Sequence, residues 1–379
     1  MKTAQVILKQ FPVDAEAFAP LAAIDPTALL VFGSVEALET AAPTLAKSFP
    51  NAVRLGCSTA GEISAEGVSD GTLVVTALHF AKTELRPTST RLASMEDSRA
   101  AGGRLGRALP TAGLRAVVIF GQGVAINGSA VLEGLTEVIG QAVPVTGGLA
   151  GDGGAFVRTC VLDNEGASSD RIACIGLYGE NLVVSHGSFG GWSPFGPARK
   201  VTKADNNVLY ELDGEPALAV YKKYLGDHAK GLPASGLLFP FAMLGEDHSD
   251  IGLIRTILAV DEEKGSLTLA GEIHANGHLK LMHASTDALV DGAEAAAQAA
   301  RESLSQDGDG LALLVSCVGR KLVMGGRVDE EVEAVGAVFG RKARLAGYYS
   351  YGEISPFSRS VDCKLHNQTM TITYLSEAT

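Results

Sequence analysis

The chain has 379 residues, 46% of them apolar and 20% charged, a balance that fits a folded protein with room for two domains and excludes wholesale disorder. Its net charge of −12 argues against nucleic acid or an anionic membrane as partner, and no apolar stretch reaches the length of a membrane span. Five cysteines, spread singly, fit free thiols in a reducing cytoplasm better than a disulfide framework.

The N-terminal MKTAQVILKQFPVD lacks the long apolar region and small-residue cleavage site of a secretory signal, so a cytoplasmic location is expected. Four apolar runs then read as buried strands: ALLVFGS (28–34), AVVIFGQ (116–122), GLLFPFA (236–242) and LALLVSC (311–317). Three of them lead into segments with helical spacing, VEALETAAPTLAKSF, GSAVLEGLTEVIG and VDEEVEAVGAVFG. Each helix is followed by a glycine-acid turn, AGEIS (60–64), AGDGG (150–154) or YGEIS (351–355), and then by another apolar strand.

The resemblance between turns extends upstream. GCSTAGEIS (56–64) and GYYSYGEIS (347–355) share five of nine positions, and a hydroxyl recurs as Thr59 and Ser350. ELRPTSTRLASMEDSRAAGGRLGRAL leads into AVVIFGQG much as HLKLMHASTDALVDGAEAAAQAARESL leads into LALLVSCVGR. These parallels predict an α/β fold with a duplicated two-half architecture, its mixed β-sheets faced by helices. The boundary is placed at 215/216, giving domains of 1–215 (core about 27–215) and 216–379. The segment Gly190–Pro197, rich in Gly and Pro, is either a hinge between the halves or a rigid strap.

No common catalytic signature is present. A G-x-S-x-G elbow is missing, Gly121-Gln122-Gly123 lacks the rest of a nucleotide loop, and there is no CxxC. Successive N–H groups around Gly147 and Gly148 would suit an anionic group, with Asp152 pairing a ligand ammonium; the alternative is a plain turn whose acid caps the next segment. Cys57 or Cys317 could serve as a nucleophile if a histidine such as His366 lay beside it, although free cysteines are commonly buried apolar groups. In a strand, His366 shares a face with Gln368 and Met370, which suggests a lined cavity or a satisfied core histidine.

Taken in order, GCSTAGEI, GGLAGDGGAF, GWSPFGP, VTKADNNVLYELDGEPALAVYKKYLG, SCVGR, YYSYGEISP and CKLHNQTMTITYL resemble the FIST family across nearly the whole chain. The resemblance implies a small-ligand sensor in signal transduction, with amino acids among the proposed ligands. It also implies that this chain, with no length left for an output module, signals through a separate protein such as a histidine kinase. Some stand-alone bacterial members resemble haem-dependent nitric oxide sensors. On that alternative His366 is the axial candidate for haem b, ahead of Cys57 and Cys317. The leading expectation is a ligand sensor with no cofactor, no metal and no enzyme activity. Its ligand residues would be Thr59, Glu62, Gly147, Gly148 and Asp152 in the first half and Ser350, Glu353, His366 and Gln368 in the second.

Overall fold

A computed structural model describes residues 1–302, 304, 309–357 and 362–378. The apolar run at 28–33 forms β2 (Ala28–Gly33), buried on both faces as a continuous hydrophobic strand must be. Ser34 follows in extended backbone and its Oγ accepts from Ala37 N at 3.2 Å, which starts α1 (Val35–Ser48). The chain returns as β3 (Val53–Ser58), parallel to β2, turns through the hairpin β4 (Glu62–Ser64) and β5 (Gly67–Ser69), and closes with β6 (Leu73–His79). The first strand, β1 (Lys2–Leu8), pairs antiparallel with β6.

The same order then repeats as β7 (Glu84–Arg91), α2 (Ser98–Ala108), β8 (Leu114–Gly121), α3 (Gly128–Ile139), β9 (Val145–Leu149), β10 (Val161–Asp163), β11 (Gly166–Ser168) and β12 (Arg171–Tyr178). It begins a third time with β13 (Leu182–Phe189). After an excursion the third unit resumes as α5 (Thr286–Glu302), β14 (Gly310–Cys317), α6 (Val318–Met324), α7 (Asp329–Phe339), β15 (Ala343–Ser350), β16 (Gly352–Pro356), β17 (Cys363–His366) and β18 (Met370–Glu377). The excursion is a nine-stranded antiparallel sheet between Ser193 and His283 with one helix, α4 (Ala217–Leu225). It has its own core around Val201, Leu209, Tyr221, Phe241 and Leu267. The fold is α/β as the sequence predicts: residues 2–178 carry the repeated unit twice, and residues 182–377 carry it once, interrupted by the antiparallel excursion.

Each unit sends its hairpin into another unit's sheet. The strand orders are β1-β6-β2-β3-β10-β11, β7-β12-β8-β9-β16-β17 and β13-β18-β14-β15-β4-β5. The register agrees at all three crossings: Glu62 faces Tyr348, Val161 faces Cys57, and Glu353 faces Gly148. One residue along, Ile63, Leu162 and Ile354 face Gly347, Gly56 and Gly147. At these three glycines a Cβ would lie 1.8, 1.9 and 2.0 Å from the carbonyl oxygens of Leu314, Val31 and Ile119, so only glycine lets the parallel strands approach. The inner faces of β2, β8 and β14 meet in one core, where Phe32, Phe120 and Tyr348 touch each other at ring separations of 4.9–5.6 Å.

Two sequence-based assignments change. GLLFPFA is not one buried strand: Ala234–Leu238 is a single 3-10 stretch and Phe241–Leu244 a strand of the antiparallel sheet. HLKLMH likewise belongs to that sheet, and the strand equivalent to ELRPTSTR is β13. Both runs are apolar enough for either sheet, and spacing alone does not choose between them. The Gly190–Pro197 segment is strapped down. Arg320 donates to Gly190 O, Trp192 Nε1 donates to Gln368 O at 2.7 Å, and a Cβ on Gly191 would strike Ala288 O at 2.1 Å.

Candidate functional site

The GEIS turn is built to hold a buried carboxylate. Thr59 Oγ1 donates to Glu62 Oε1 at 2.5 Å, while Thr72 N and Oγ1 donate to Oε2 at 3.0 and 2.8 Å. Burial raises the Glu62 pKa, and the Thr59 and Thr72 donors offset only part of that. The second turn repeats this bond for bond: Ser350 Oγ reaches Glu353 Oε1 at 2.6 Å, and Thr369 N and Oγ1 reach Oε2 at 3.2 and 3.0 Å. Thr72 and Thr369 each stand one residue before the returning strand, β6 or β18. Each glutamate therefore ties the start of an exchanged hairpin to the strand that leaves it. That is why the chain builds the turn twice. In the second unit Val161 occupies the register position, and Arg171 instead holds the hairpin through Asp163 and Glu165, at 2.5 and 2.9 Å.

The surroundings of the two glutamates differ. Thr59 and Glu62 line a cavity of about 360 Å³ at the C-terminal ends of β2 and β3, together with Ser34 and Glu36 of the α1 start, Asp70, and Asp152 and Arg158 from the loop after β9. Asp152 organises that loop by accepting from the amides of Phe156, Val157 and Arg158 at 2.7–2.8 Å, and from the Tyr351 hydroxyl. Burial works to raise its pKa, but these donors outweigh it and hold the carboxyl below its usual range. Phe156 adopts φ +56°, uncommon for a bulky residue, and stacks on Tyr351 at 4.0 Å.

Glu353 is fully buried, and its pKa is pushed up to about 8 by burial against the opposing Ser350 and Thr369 donors. His366 is its cross-strand partner in β17. The imidazole lies with Nε2 3.0 Å from Ser355 O and its ring edge-on to Phe357 at 5.0 Å, and burial lowers its pKa to about 4, helped by the Arg255 charge. Gln368 sits at φ +64° and donates through Nε2 to Leu237 O and Thr256 Oγ1 at 2.9 and 3.0 Å. Its Oε1 has no partner among the described residues.

The nine sequence-predicted residues thus separate into three places. Thr59, Glu62 and Asp152 share the open cavity. Ser350, Glu353, His366 and Gln368 gather in packed interior against the antiparallel sheet. Gly147 and Gly148 form no anion-binding concavity. They lie in β9, between β8 and β16, where the close approach of Ile119 and of Gly352 O requires a residue without a side chain. Sequence reasoning missed Glu36, Asp70 and Tyr351. The helix start at Ser34 was the available signal for Glu36; nothing local marks Tyr351 as the partner of Asp152.

Neither a haem nor an activated thiol fits the residues proposed for them. A haem needs an open slot beside its axial nitrogen, whereas His366 is 2% exposed and occupied by Ser355 and Phe357. Burial pushes the Cys57 and Cys317 thiols well above their ordinary range, the reverse of nucleophile activation. Among the described residues no group of three or more His, Cys, Asp or Glu is placed to hold a metal, and no helix is long and apolar enough to cross a membrane.

The family models for the FIST N domain and the FIST C domain match residues 27–215 and 217–356. A protein of Methanocaldococcus jannaschii, described only as uncharacterized, is 31% identical over 103 residues, covering 25% of this chain. The chain spans 19% of that relative's length. Among solved structures, a cyanuric acid hydrolase from A. caulinodans aligns over 100% of this chain and 99% of its own, at 8% identity and a TM-score of 0.38. A second cyanuric acid hydrolase structure aligns over 99% of each chain at 9% identity and a TM-score of 0.37.

Proposed function

The chain belongs to the FIST family, whose domains are signal-transduction sensors, and from that premise we propose that it senses a small amine-bearing molecule in the cavity at the ends of β2 and β3. An amino acid has the right size and the right two charges. The observation that carries this reading is the lining: Glu36, Glu62, Asp70 and Asp152 against the single guanidinium of Arg158. That guanidinium is already paired with Glu39, and Lys321 reaches Asp70. An ammonium is the complement of such a surface. Beside it, the first-turn N–H groups of Val35 and Glu36, unused within α1, would receive the ligand carboxylate. Occupancy would then be passed to a separate signalling protein, for which a histidine kinase is the expected class.

Calorimetric titration with amino acids and their N-acetylated forms tests the proposal. Free amines should bind and acetylated ones should not. The double variant Glu36→Gln/Asp70→Asn should weaken binding at least about tenfold, the scale of one lost charge-assisted contact, with its melting temperature unchanged. Equal binding of an acetylated form, or full affinity in the double variant, would remove the ligand from this cavity.

A further inference from the structure

A second cavity, of about 830 Å³, opens at the opposite ends of the strands, where β15 and β1 begin. Lys2, Arg341, Lys342 and Arg344 line it, with Asp309 as the one acid among the described lining residues. Among the described lining side chains, four cations stand against one anion on a chain whose net charge is −12. Elsewhere arginines commonly rest on carboxylates, as Arg99 does on Glu133 and Glu137, and Arg327 on Asp287 and Glu330. Lys2, Arg341 and Arg344 reach no carboxylate among the described residues.

The ordinary explanation for basic residues here is that they neutralise the C-terminal end of α7. That task already has an owner: Arg301 Nη1 donates to Val338 O at 2.7 Å from α5, while among the described residues neither Arg341 nor Arg344 bonds a helix carbonyl. Ile24, Ala343 and Leu345 add apolar surface to the lining. Two guanidinium forks suit phosphate oxygens better than they suit isolated point charges, and the volume is that of a ligand pocket.

We propose that this cavity binds a phosphate-bearing anion of nucleotide size, held by Arg341, Arg344 and Lys2, with its uncharged part against Ile24 and Leu345. The site is separate from the Glu62 cavity and does not depend on the sensor reading. The test is calorimetric titration of the full chain with tripolyphosphate, a nucleoside triphosphate and a glutamate-rich peptide. Both phosphate ligands should bind. Binding should weaken at least about tenfold in Arg341→Gln/Arg344→Gln, and again on raising salt from about 50 mM to about 0.5 M. Tighter binding of the nucleoside form would identify a nucleotide, and equal binding a free phosphate chain; either supports the site. The substituted side chains are exposed, so the double variant should melt at the parent temperature. No binding of either phosphate ligand, undiminished affinity in the double variant, or preference for the peptide would overturn the proposal.

Discussion

Glu353 makes stability fall as pH rises, and replacing it with glutamine should abolish that fall. Its pKa stands at about 8 in the folded protein against an ordinary 4.5, because burial penalises the charged carboxylate more than its three hydrogen-bond donors from Ser350 and Thr369 offset. Between those values the folded chain keeps a proton that the unfolded chain has released. Stability therefore declines with pH through this window and is fully penalised above pH 8. The whole rise from 4.5 to about 8 corresponds to about 5 kcal/mol at about 1.4 kcal/mol per unit. His366 runs the other way: its pKa is lowered to about 4, so the unfolded state binds the extra proton and stability is lost as pH falls below 6.5. The clean window is therefore pH 6.5 to 8, where the parent protein should lose about 2 kcal/mol. Glu353→Gln keeps an acceptor for Ser350 or Thr369 and cannot ionise, so its denaturation midpoint should stay level across the same buffers. A flat parent profile, or an equal slope in the variant, would refute the claim that burial keeps this acid protonated.

Two further outcomes follow from the geometry. Gly147→Ala should cost about 3 kcal/mol or more, visible as a lowered melting temperature, because its Cβ would fall 2.0 Å from Ile119 O at φ +130°; unchanged melting with lost ligand binding would instead restore Gly147 as a ligand residue. Tyr351→Phe should loosen the 152–158 loop by about 1–3 kcal/mol and let the Asp152 pKa rise, since the hydroxyl both donates to Asp152 and accepts from Gly154 N at 3.0 Å. Hydrogen exchange at 154–158 would measure it, and parental protection there would count against the latch.

Much of this architecture was legible in local sequence. The runs at 28–33, 116–121 and 311–317 are continuous and apolar because both faces of each strand are covered, and their helices show 3.6-residue spacing. The recurrence of Thr59–Glu62 as Ser350–Glu353 was also visible, since it is one set of hydrogen bonds built twice. What the sequence hid was partnership. Nothing in EIS at 62–64 says that its neighbour is residues 346–348, because strand register depends on the distant chain. The same blindness put Gly147 and Gly148 at a ligand when their constraint is a carbonyl across the sheet. It also concealed Tyr351, whose role exists only once β9 and β15 end side by side.

The exchange of hairpins has a consequence for synthesis on the ribosome. Residues 62–64 emerge early, but their partners at 346–348 are translated roughly 15–60 s later at ordinary elongation rates. Until then β4 has no sheet to join, and β13 waits similarly for β18. A chain stopped after the second unit would present unpaired strand edges, the surfaces on which nascent proteins stick to one another. Productive folding is thus deferred to the last strands, and a holdase bound to the waiting β4–β5 hairpin would protect the molecule for most of its translation.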